Sequence, residues 1–301
     1  MGAKNANAHV EGIWAVGWSG SERLITGSLD GSLRLWNSRN IEKPLAATSK
    51  QRVGVTSVAT TSDGVQAVAC YQDATIRMFD VKDESEGQSF VESGAIHAGM
   101  MEAWSLCMSP GDDVIAAGTQ SGKVNIWSMA EDHEKVLTLD TGNKFVLCTK
   151  FSRDEEAPLL AASSIDGHVS VFDISTSSVI HRVAGHSLPV RSVTFSQNGR
   201  LVYSASDDRH VSVYDCTSNK VVGTFSHGGM ALSLDVSPDA RHFAVGSSDH
   251  SVTFWDLGMQ RSVTTYKAHT DQVWGVAFDQ THEEGRRLVS TGDDAALQIY
   301  E

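Results

Sequence analysis

Asp30-Gly31-Ser32-Leu33-Arg34-Leu35-Trp36 is one of seven echoes in this chain. With variation it returns at residues 73–79, 121–127, 166–172, 208–214, 249–255 and 294–300. In each copy an aromatic stands six residues after an acidic or hydroxyl-bearing residue. The aromatics fall at 36, 79, 127, 172, 214, 255 and 300, so the gaps are 43, 48, 45, 42, 41 and 45. Short apolar runs such as Ile13 to Trp18, Arg23 to Thr26 and Val55 to Ala59 fill the space between, bounded by turn residues. That is strand chemistry, and no stretch carries a helical period.

A repeat of about 40–45 residues holding several short strands is the signature of a β-propeller blade. Seven copies predict an all-β, seven-bladed ring that is one domain over 1–301. The blades are expected at about 9–48, 51–92, 97–139, 141–183, 186–225, 227–266 and 269–301. The last repeat stops at Tyr300, so its outer strand is expected from residues 1–8, although these hold no β-branched residue. Leu45 to Thr48 should begin the outer strand of the first blade. Lys82 to Gly87 is expected as a solvated loop, with insertions at 153–158 and 280–287.

The net charge of −13 and pI near 5.3 argue against direct binding of nucleic acid or an anionic membrane, which clustered Lys and Arg drive. Cys70, Cys107, Cys148 and Cys216 fall in four different repeats with no C-x-x-C, as free thiols in a reducing compartment would. No run is long and apolar enough to span a bilayer, and the first residues lack a signal-peptide core. The expectation is an intracellular soluble protein.

The recurring polar residues suggest a structural network. In the fifth repeat His186, Ser204, Asp208 and Tyr214 stand where a WD repeat, which these copies resemble, places buried hydrogen bonds. Asp208 can accept from the imidazole, whose other nitrogen can meet the hydroxyl, with the aromatic closing the chain. The first repeat offers His9, Thr26, Asp30 and Trp36, and the seventh His269, Ser290, Asp294 and Tyr300. The sixth keeps His227, Asp249 and Trp255 but has Val245 in the hydroxyl position, and the third keeps His97 and Trp127 with Ser121 for Asp. The second and fourth lack the histidine, and their Phe79 and Phe172 lack a donor. A hydrolase triad has the same residue types, but one site per blade suits a repeat and not an enzyme, and no G-x-S-x-G elbow occurs. No catalytic residue, metal site or cofactor is therefore expected: the histidines show no paired ligand spacing, and Gly122-Lys123 lacks the rest of a phosphate loop.

Partner binding is expected on the rim from which the first strand of each blade descends. Aligned on Trp14, that strand holds Thr56, Trp104, Leu147, Arg191, Leu232 and Trp274. Two residues earlier stand Phe145, Pro189 and Met230, with Glu102 and Gln272 as polar company. Asp207 and Asp293, just before their turn aspartates, should face the same rim. Exposed indoles beside acids would suit a peptide carrying one basic and one large apolar residue.

The chain also resembles a particular seven-bladed family, the small propeller subunit of the superkiller complex, shared with the RNA polymerase II-associated factor complex. Thr26 to Asp30, Gly122 to Ile126, Lys144 to Leu147, His186 to Ser192, Ala205 to Asp208 and Asp271 to Val276 carry the likeness. Asn37 departs from it, where an Asp commonly follows the first tryptophan. The resemblance implies a non-catalytic adaptor of cytoplasm and nucleus. Its partners would be a helical-repeat scaffold and an RNA helicase in 3′-to-5′ exosomal mRNA decay, and polymerase-associated subunits in elongation and histone modification. It also implies a partner-facing role for Trp14, Trp104 and Trp274, and for Phe145 and Arg191. The alternatives are a cullin-type ubiquitin-ligase receptor, for which Trp36-Asn-Ser-Arg39 is one mismatch from W-D-x-R, and a propeller enzyme with acids or metal ligands in the channel. A G-protein β subunit would need an N-terminal helix that residues 1–8 cannot form.

Overall fold

The computed structural model describes residues 2–20, 22–84, 87–99, 102–142, 144–281 and 287–301. Among them 28 strands form seven four-stranded antiparallel sheets and no helix; six sheets are meanders, and the seventh takes its outer strand from the first residues. The middle two strands of each blade are buried on both faces, so Leu24, Ile25, Thr26, Gly27 and Ser28 are all buried in succession. This is why those strands read as continuous apolar runs rather than as alternation. The core lies between blades: Ile13, Leu24 and Trp36 of blade one pack with Val289, Leu297 and Ile299 of blade seven. Each such side chain, fully buried, contributes roughly 1.5–3 kcal/mol.

The turn inside each echo has one backbone requirement. The residue after the acidic or hydroxyl position takes positive φ in all seven copies: Gly31, Ala74, Gly122, Gly167, Arg209, His250 and Ala295, between 56° and 86°. Only three of these are glycine, which conceals the turn from sequence inspection.

Blade seven closes through the chain's first residues. Lys4 and Asn5 pair antiparallel with Gln298 and Leu297, and Ile299 donates its N–H to the Ala3 carbonyl at 2.9 Å. The poor strand propensity of 1–8 is offset by side chains: Gln298 donates to the carbonyls of Gly2 and Ala3, and Asn5 to that of Ile41. Lys4 also reaches the Ala268 carbonyl.

Three local expectations change. The outer strand of blade one is only Ala46–Ala47. The Lys82–Gly87 stretch is not a loop: strands Thr75–Glu84 and Gly87–His97 continue the ladder to Glu84 opposite Gly87, with 85 and 86 outside the described residues. The hairpin extends because Val81 and Phe90 find an apolar bed on Leu35 and Ala46, which the short outer strand of blade one leaves available. His97, expected to open the third repeat, instead ends this outer strand of blade two and is exposed. Most of the seventh-repeat insertion, 282–286, lies outside the described residues.

Candidate partner-binding mouth

The position aligned on Trp14 is a β-bulge. In blade one Ile13 pairs with Ser28 and Ala15 with Gly27, leaving Trp14 as the extra residue. The same slip occurs at Thr56, Leu147, Arg191, Leu232 and Trp274. In blade three Trp104 precedes the regular strand and donates its N–H to Gly118. A bulge re-aims its side chain out of the ladder, so six bulges, with Trp104 just ahead of its strand, set seven side chains at the same end of the ring. A second ring of contacts fixes the loops: the turn residues Ile165, Asp207 and Asp293 donate N–H to the carbonyls of Phe145, Pro189 and Gln272 at 2.9–3.0 Å.

The mouth has two unlike sectors. In one, Trp14 and Trp274 of adjoining blades lie 5.3 Å apart at 36°. Both indole N–H groups donate to one carboxylate, Trp14 to Asp293 Oδ1 at 2.9 Å and Trp274 to Oδ2 at 2.8 Å. Gly12 permits this, since a Cβ there would come within 2.6 Å of that Oδ1. Among the described residues no cation lies within ion-pair distance of Asp293. Asp207 differs, because Arg191 holds it with a fork of hydrogen bonds at 2.8–3.0 Å and cancels its charge. In the other sector Trp104 meets Phe145 edge-to-face at 5.4 Å, followed by Ile165, Leu188 and Met230, which are 39%, 48% and 39% exposed.

The mouth thus brings together the sequence-predicted residues with three amendments. The three indoles are half-buried, not open, and two have their polar edges engaged. Leu147 and Leu232 are buried. Glu102 turns back to accept from Asn125 at 3.1 Å. Ile165 and Leu188 were missed. Ile165 could have been found as the apolar occupant of the turn position that Asp207 and Asp293 hold elsewhere.

The polar network forms most fully in two blades. His9 Nδ1 faces Asp30 at 3.3 Å and its Nε2 faces Thr26 Oγ1 at 2.7 Å, while Trp36 Nε1 donates to the same oxygen at 2.8 Å. His269 joins Asp294 at 2.9 Å and Ser290 at 2.7 Å, and Ser290 meets the Tyr300 hydroxyl at 3.0 Å. In blade five His186 reaches Asp208 at 2.9 Å and Ser204 at 2.8 Å, but the Tyr214 hydroxyl does not close the chain. It lies instead against Gly185, where any Cβ would collide with it. In blade three Ser121 bonds Thr119 and supplies no carboxylate to hold a histidine, so His97 stays outside.

Burial pushes the Asp30, Asp208 and Asp294 carboxyls up, but hydrogen bonds from histidine and backbone N–H overcome it. All three lie below the ordinary range, Asp294 at about 2. Burial lowers His9 and His186 and so keeps them neutral. The Ser204 hydroxyl is sealed, at 0% exposure, so the triad-like geometry cannot meet a substrate. The thiols are free, and burial raises Cys70 and Cys107 to about 12, far from reactive.

Blade six holds the network in an incomplete form. His227 Nε2 and Trp255 Nε1 are both buried without a partner. Val245 holds the register that Thr26 holds in blade one: Phe243 pairs with Trp255 as Leu24 pairs with Trp36. Val245→Thr is nearly isosteric and offers both nitrogens one oxygen. It is expected to stabilise the protein by about 1–2 kcal/mol, read as a raised denaturant midpoint at constant slope. An unchanged or lowered midpoint would refute this account of the orphan pair.

The family model described as WD domain, G-beta repeat matches residues 4–37, 43–80, 97–128 and 260–301. The chain is 33% identical to WD repeat-containing protein SL1-17 of Schistosoma mansoni over 98% of its own length and 96% of that protein. It is 33% identical to WD repeat-containing protein VIP3 of Arabidopsis thaliana, covering 63% and 62% of the two chains. Meiotic recombination protein rec14 of Schizosaccharomyces pombe is 27% identical over 66% and 64%. Residues 159–253 also match a Cytochrome D1 heme domain model, but the inward-facing histidines of that stretch are not placed to ligate a haem. His186 spends both ring nitrogens inside its blade, His227 keeps Nε2 buried beside Trp255, and the void lined by Val169, His181 and Tyr214 is about 10 Å³, room for one water.

Proposed function

The chain belongs to the family of WD-repeat proteins, and on that premise we propose that it is a non-catalytic scaffold that grips a partner protein at its mouth. The finer reading is the propeller subunit of a superkiller-type complex, assisting 3′-to-5′ exosomal mRNA decay beside a helical-repeat scaffold and an RNA helicase. In the nucleus the same reading makes it a subunit of a polymerase-associated elongation complex. The observation that supports it is convergence. Four stretches that carry the resemblance, Lys144 to Leu147, His186 to Ser192, Ala205 to Asp208 and Asp271 to Val276, supply Phe145, Leu188, Arg191, Asp207 and Trp274 of the mouth. The cullin-receptor alternative gains no such support, since Arg39 of its near-motif is drawn to Glu22.

The two sectors define the ligand's chemistry. Asp293, clamped by two indoles and with no cation beside it among the described residues, suits a lysine or arginine head, whose charge the indole faces also attract. The sector from Phe145 to Met230 suits a large apolar side chain. Trp274→Ala is expected to weaken binding of the purified helical-repeat scaffold at least about tenfold, or 1.4 kcal/mol, with the melting midpoint moved by only a few degrees. Binding that survives while the midpoint collapses would make Trp274 a core residue, and a wild-type propeller that ignores the scaffold at micromolar concentration would sink the superkiller reading.

A further inference from the structure

We propose that the outer edge of blade two docks an extended, basic segment of another protein, which adds to the sheet as a fifth strand. The edge is independent of the mouth. Its strand, Gly87–His97, is last in its sheet and runs 11 residues. A bare strand edge invites pairing, and natural chains blunt it with short strands, proline or cationic side chains. The other six outer strands obey. Lys4–Asn5 and Ala46–Ala47 are two residues long. Lys135–Asp140, Ser178–Ala184, Lys220–Ser226 and Arg261–Tyr266 carry Lys135, Arg182, Lys220 and Arg261. Gly87–His97 has no Lys, Arg or Pro.

The edge is also correctly presented. Val81 donates its N–H to Val65 on the inner side at 2.7 Å, so its pairing with Phe90 is of the non-hydrogen-bonded kind. The N–H and C=O of Phe90 therefore point away from the sheet. The strand is held firm from both neighbouring blades. Phe90 packs against Leu35 and Ala46 of blade one, and His133 of blade three rests on Gly94, where a Cβ would come within 2.7 Å of its ring. A fixed edge spares an incoming strand much of the ordering cost of association.

Charge selects the occupant. Val91 is 39% exposed, and next to it the Glu92 side chain is 41% exposed while bonded to Arg77 at 2.9 Å. An antiparallel segment with an apolar residue over Val91 would complement that side chain, and since Arg77 already pairs with Glu92, it is the net charge of −13 that favours a cationic one. A second copy is disfavoured, since each copy carries −13 and two-fold pairing about this point would set Glu92 against its twin.

The test uses the full chain and an acetylated eight-residue peptide of alternating lysine and valine. Saturable binding is expected, with slowed amide hydrogen exchange confined to 87–97. The double variant Val91→Lys, Ser93→Lys, both positions exposed, installs the missing guard and should weaken binding at least about tenfold. Trp274→Ala should leave it unchanged, which separates this edge from the mouth. The proposal fails if the peptide does not bind, if protection appears elsewhere, or if a glutamate–valine peptide binds equally well. It also fails if 87–97 becomes protected without peptide as the protein doubles in mass at high concentration.

Discussion

Thr26→Val should destabilise the ring by about 2–4 kcal/mol, because it strands one buried donor, the Trp36 indole N–H, and one buried acceptor, His9 Nε2, each at a cost of roughly 1–3 kcal/mol. Thr26 Oγ1 serves both His9 Nε2 and Trp36 Nε1, and is fully buried. The substitution hardly changes shape, so no cavity term confuses the result. It leaves blade one with an orphan pair like the one blade six already holds, to which Val245→Thr would return the missing oxygen. Denaturant unfolding of both variants reads the same interaction with opposite sign. A loss under about 0.5 kcal/mol would show that water or a rearranged ring satisfies these nitrogens, and the network argument would fall with it.

The second large effect is acid sensitivity. Burial is the main force on His227 and lowers it to about 4; Asp249 pulls the other way and His210 adds to the lowering. In the unfolded chain this imidazole takes a proton near pH 6.5, in the folded one only near 4. The unfolded state therefore binds more protons across that window, and stability falls as pH drops through it. The loss is on the order of 3 kcal/mol for His227. His9 and His186, lowered by burial, act in the same direction. The network carboxylates act later: depressed below 3.8, with Asp294 at about 2, they hold their contribution until the pH falls toward their folded values. Denaturant unfolding at steps from pH 7 to 3 should show a decline already between 6.5 and 4. His227→Phe should make that early decline shallower, with the part due to His9 and His186 left in place, and an unaltered slope in that variant would dissociate it from His227.

The ring and its blade count were legible because one turn and one aromatic recur at nearly constant spacing. The mouth was legible as a set of positions, since Trp14, Trp104 and Trp274 align without any coordinates. What the alignment could not hold was the bulge. A one-residue slip leaves no mark in composition, yet it is what swings Trp14 out of the ladder. Partnership was equally hidden. Asp207 and Asp293 look alike in sequence, and only space shows one neutralised by Arg191 and the other shared by two indoles. The blade-two hairpin was misread because charge suggests solvent, whereas the deciding contacts come from Leu35 and Ala46, about forty residues away along the chain.

The joint in blade seven has a mechanical consequence. Gly2 and Tyr300 sit side by side at the same end of an antiparallel pair, Lys4 opposite Gln298 and Asn5 opposite Leu297. Tension applied between these two ends loads the hydrogen bonds one after another, like a zipper, instead of all together in shear. A ring closed by seven interlocked sheets would peel open first at this one point under such a pull.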